Sequence, residues 1–149
     1  MSSQTEEDIV AVTPTTMAKV GGGGLMLAGL FMLVLAAQTA TMLFFDTVVI
    51  ATLSAMVLLG GSSLVLGWNV SRMRGWAALS GPIIAAVQCI AALGWLVFSF
   101  THGVFSLLAI AIIPLSGLAC VLSGLCIDRC HKADLARGRL RAEGLDVGN

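Results

Sequence analysis

Near the close of the last long apolar run, Cys126, Cys130 and His131 bring two thiols and an imidazole together. On a helix the i, i+4 spacing sets both sulfurs on one face. Completed by Asp128 or by a second protomer, such a set offers the N and S ligands that tetrahedral zinc prefers. A cysteine at a membrane edge is also a substrate for lipid attachment. A lone three-ligand cluster still lacks the paired CxxC signature of a metal-built fold. The plainer expectation is that these thiols pack as small hydrophobes, with no metal and no cofactor bound.

Uncharged polar residues inside the apolar runs form the second chemical set. Gln38, Thr41, Gln88 and Ser116 are its main members. In lipid, such side chains either bond one helix to another or line a polar path. Gln38 sits nearer one end of its run and Gln88 nearer the middle, so a direct bond between them needs a vertical offset. Between Val20 and Ile127 the only ionised side chains are Asp46, Arg72 and Arg74, each in a gap between runs. A proton-coupled exporter needs an intramembrane carboxylate, and none stands here. Quinone-linked thiol chemistry needs paired cysteines on the outer side, and a b-type haem needs two histidines at one depth; His102 and His131 fall at opposite ends. There is no GxSxG or HExxH motif, so no hydrolytic nucleophile or zinc site is visible. Gly21, Gly22, Gly23 and Gly24 lack the GK[ST] ending of a phosphate loop and read as a flexible or closely packed helix start.

The elements that carry these residues are membrane helices. The chain has 149 residues, 58% of them hydrophobic and 11% charged. Its mean hydropathy is +0.98, far from the profile of a soluble domain. The expected fold is an all-α membrane protein with four transmembrane helices in an up-down-up-down bundle, at about 20–45, 47–68, 76–100 and 104–127. Residues 1–19 are acidic and Thr-rich and are expected to form a disordered tail. They do not resemble a secretory leader, so the first helix is expected to stay. Asp46 marks a tight turn, and Thr101, His102 and Gly103 make another. Pro82 is placed in the first turns of the third helix, where its missing N–H costs least, and Pro114 interrupts the fourth. Phe44, Phe45, Phe98, Phe100 and Phe105 gather near the ends away from the Arg loop.

Orientation follows from the cations. Arg72 and Arg74, bracketed by Trp68 and Trp76, lie between the second and third runs, and Lys19, Arg129 and Lys132 flank the same side. Retention of Lys and Arg in the cytoplasm then places both termini there, in a plasma (inner) membrane, multi-pass. Residues 128–149 form a mixed basic and acidic cytoplasmic tail, helical as far as Gly138 or Gly144, whose cations can meet anionic lipid. The Arg, Ala, Gly and Leu usage hints at a bacterial source. A shift of 57 residues aligns Gly24 with Gly81, Gly60 with Gly117 and Gly67 with Gly124, a faint suggestion of a hairpin repeat.

Ladders of small residues stand on three of the helices: Ala51, Ala55, Ser63 and Gly67; Ala77, Gly81, Ala85 and Cys89; Ser116, Cys120 and Gly124. They allow close helix approach, within one chain or between chains. With no catalytic set, the expectation is a non-enzymatic accessory subunit or scaffold. Its partners are the lipid bilayer and another membrane protein or further copies of itself, and not nucleic acid. The alternative is an oligomeric channel or facilitative carrier for a small solute, with Gln38, Thr41, Gln88 and Ser116 along its path.

Overall fold

The computed structural model describes residues 3–42, 47–101 and 106–145. Among these every regular element is a helix: α1 (Ser3–Val12), α2 (Thr16–Met42), α3 (Thr47–Ser71), α4 (Gly75–Thr101), α5 (Leu107–Leu125) and α6 (Ile127–Ala142). Four helices are long and apolar enough to cross a membrane. The chain therefore has the make-up of a helical multi-pass membrane protein. The turn at Asp46, the connection at His102 and Gly103, and Phe44, Phe45 and Phe105 lie outside the described residues.

The packing follows from the small residues. Gly67 lies so close to α2 that a Cβ there would come 2.5 Å from the Gly22 carbonyl, and one on Gly60 would come 2.9 Å from that of Gly29. The two pairs are each seven residues apart, and numbers rise along α2 as they fall along α3. Only glycine permits this approach, because any side chain would strike backbone and not a yielding side-chain tip. Gly21 meets Leu122 and Ser123, and Gly24 meets Ala119, so the glycine run packs α2 against α5 as well as α3. It is a continuous part of α2 and not a frayed start. Buried positions on α4 include Ala78, Gly81, Ala85, Gln88, Ala92 and Ser99, and on α5 Ala109, Ile112, Ser116, Ala119 and Ser123. Steps of three and four alternate along both helices, the spacing of knobs-into-holes packing.

Two details depart from the expected outline. The N-terminal segment expected to be disordered contains α1, which Asp8 ties to Arg139 on α6 and Thr5 ties to Glu143 at the end of α6. Partners this distant in sequence leave no local signature. Pro82 lies early in α4, about two turns from its start, and its carbonyl accepts from Cys120 Sγ at 3.5 Å. The fourth span ends at Leu125, after which α6 starts again beyond Cys126. Of the two candidate stops, Gly138 lies within α6 and Gly144 closes it, with a φ of +79°. Two of the pairs aligned by the 57-residue shift do not share surroundings: Gly60 and Gly67 are packed against α2, whereas a Cβ on Gly117 or Gly124 would meet open space.

Candidate functional site

Three places gather the residues of interest. The first is the α3–α4 loop. α3 ends with Met73 N–H donating to Val70 O at 2.8 Å and Arg74 N–H to Asn69 O at 3.0 Å, a Schellman closure with Met73 in the left-handed region at φ 56°. Glycine is usual at that position. Methionine stands here because its side chain is buried against Ala18, Ala78, Cys126, Cys130 and Ala133. The carbonyls of the closure are not left bare: Arg137 donates to Met73 O at 3.0 Å and to Arg72 O at 2.6 Å. It also pairs with Asp134 at 2.7 Å, while the other Asp134 oxygen accepts from Gly75 N–H at 2.6 Å and so caps α4. α6 thus clamps the loop through a buried guanidinium.

The topology-setting residues sit around this clamp. Arg72 is exposed and stacks over Trp68 at 4.6 Å, and Arg129 and Lys132 are exposed on α6. Arg74 is half-buried. Trp68 and Trp76 both face outward. Cys126 and Cys130 are buried in the cluster under Met73, while His131 points to the surface. Among the described residues no three His, Cys, Asp or Glu side chains converge as metal ligands. Burial raises the Cys126 thiol above its usual range, against the opposing pull of Arg129 and Thr15. Burial, with Cys126 and Asp134 beside it, pushes Cys130 up to about 11. Both thiols are therefore protonated and poorly nucleophilic at neutral pH.

The second place is the middle of the helical core. Gln88 on α4 and Ser116 on α5 are fully buried there, with Ser63 on α3 also enclosed. Gln38 and Thr41 are instead exposed on the outside of α2, where Thr41 Oγ1 donates back to Gln38 O. The four polar candidates thus divide into an inner pair and an outer pair.

The third place is a lateral groove of about 560 Å³ between α3 and α4, away from the loop. Ala51, Thr52, Ala55, Met56 and Leu59 form one wall, Ala91, Gly94, Trp95 and Phe98 the other, and Thr39 of α2 lies at the floor. Nearer the loop, Val70 fits against Gly81 and closes the seam. The open part spans about 12 Å from Ala51 to Leu59 at the helical rise of 1.5 Å per residue. Ala51, Ala55 and Gly94 remain exposed along it. The small-residue ladder signalled a close helix approach on this face, while the groove itself depends on the gap to α4, which has no local sequence mark.

The sequence matches no protein-family model, and neither a curated protein nor a solved structure matches it.

Proposed function

We propose that this chain is a non-enzymatic accessory subunit or scaffold that receives a helix of another membrane protein in the α3–α4 groove. In this reading the four spans form an up-down-up-down bundle in the plasma (inner) membrane with both termini cytoplasmic. Lys19, Arg72, Arg74, Arg129 and Lys132 support that orientation, since Lys and Arg are retained on the cytoplasmic side. The observation that carries the function is the groove itself. It presents Ala51, Ala55 and Gly94 to the surroundings, and small residues are what a second helix needs to approach closely in lipid. The channel or carrier reading has less support, because Gln38 and Thr41 lie on the outside while Gln88 and Ser116 face inward.

The test is purification from native membranes in mild detergent, comparing wild type with Gly94→Leu, which fills the groove. A stoichiometric partner present with wild type and lost from Gly94→Leu is the expected result. A particle with the same composition in both, together with solute flux in liposomes that Gln88→Leu abolishes, would replace the scaffold with the carrier.

A further inference from the structure

Neither Nε2 nor Oε1 of Gln88 has a hydrogen-bond partner among the described residues, and the same is true of Ser116 Oγ. Both residues have no exposed surface. They also share a level in the structure. α4 and α5 pair Gly81 with Ser123, Pro82 O with Cys120 Sγ at 3.5 Å, and Cys89 Sγ with Ile113 O at 4.0 Å. Gln88 and Ser116 fall on the rung between these contacts, each at an inward position of the three-four repeat.

An amide held away from water with nothing to bond costs on the order of several kcal/mol, and native interiors satisfy nearly all such groups through protein or ordered water. Two amide hydrogens, one amide oxygen and one hydroxyl form a neutral set with donors and acceptors together. A hard cation needs about six oxygen ligands and would meet the NH2 group. An anion would meet Oε1 without any positive charge to balance it. A water molecule both donates and accepts, and buried waters typically make about three such bonds.

We propose that Gln88 and Ser116 hold one ordered internal water that bridges α4 and α5 at the middle of the membrane-spanning region. The bridge explains how two buried polar side chains on facing helices coexist without bonding each other. It stands independently of the scaffold reading, because it concerns the interior and not the groove.

The test uses the full chain in lipid nanodiscs with 15N-labelled glutamine, reading magnetisation transfer from water to the Gln88 Nε2 protons. Gln88→Leu assigns the signal by removing it. Clear transfer is expected in the wild type, falling severalfold in Ser116→Val, whose methyl groups take the hydroxyl's place. If Ser116→Val does not fold, Ser116→Ala is read in the same way. Absence of transfer in the wild type, or transfer unchanged when the Ser116 hydroxyl is removed, would overturn the bridge.

Discussion

The two halves of this molecule use the same small residues to opposite ends. Towards the Arg72–Gly75 loop, glycines press backbone against backbone, Val70 seals against Gly81, and Arg137 ties α6 onto the loop. Towards the other end, Ala51, Ala55 and Gly94 line an open groove. Small residues therefore do not themselves fix a helix contact. What fixes it is whether a facing backbone or an interhelical polar bond completes the seam, and the loop half shows both in its glycine contacts and its Arg137 bonds.

The largest break in this comparison should come from glycine. Gly67→Val forces a side chain onto the Gly22 carbonyl and the Met26 backbone. Overpacking costs about 1–3 kcal/mol where neighbours can yield, and backbone yields least, so loss of the folded species in detergent is expected on a thermal scan. Gly94→Val, with nothing within 4 Å of its Cβ, should leave the melting temperature nearly unchanged. Comparable losses at both positions would erase the distinction between the halves.

Next in size is the clamp. Arg137→Met removes the donors to Met73 O and Arg72 O and leaves Asp134 without its cation. About 2 kcal/mol of destabilisation is expected on chemical denaturation, since charged hydrogen bonds are lost and carbonyls are left bare. Faster amide exchange from Met73 to Ala78, with α2 unchanged, would show that the effect stays in the loop.

Another effect appears only in alkali. The folded thiol of Cys130 is held at about 11, against an unfolded value of 9.0, so the folded form keeps its proton where the unfolded form has lost it. Its contribution is complete below pH 9 and fades as pH rises through about 11. Denaturation midpoints should fall over that window in wild type, and less in Cys130→Ala. Maleimide labelling of Cys130 should be slow at pH 7 for the same reason.

The smallest effect belongs to α1. Asp8→Asn weakens its pair with Arg139, whose side chain is largely exposed, so under about 1 kcal/mol is at stake. Hydrogen exchange should quicken in Ser3–Val12 without disturbing the membrane helices.

Much of this architecture was legible because it is periodic or punctuated. Runs of apolar residues marked the four long helices, and the cation gap marked the loop at Arg72 and Arg74. Gln88 and Ser116 stood out as polar residues within apolar runs, and both face inward. What escaped notice depends on distant partners. Arg137 looks like any other cation of its tail until Met73 and Arg72 are brought beside it. α1 looks unstructured because the face it buries is polar, with Asp8 and Thr5 turned towards α6. Gln38 reads like Gln88 in sequence, and only the packing of α2 turns it outward. The small-residue ladder on α3 was visible throughout, yet Ala51 and Ala55 carry no mark to separate them from Gly60 and Gly67.

The open half is proposed as a docking surface for a protein helix. The direct measurement is site-specific photocrosslinking in native membranes, with the probe at Ala55 or Gly94 in the groove and at Leu118 or Val121 on the exposed face of α5. One discrete protein adduct is expected from both groove positions and none from α5. Adducts to lipid alone, or the same protein adducts from both faces, would contradict it.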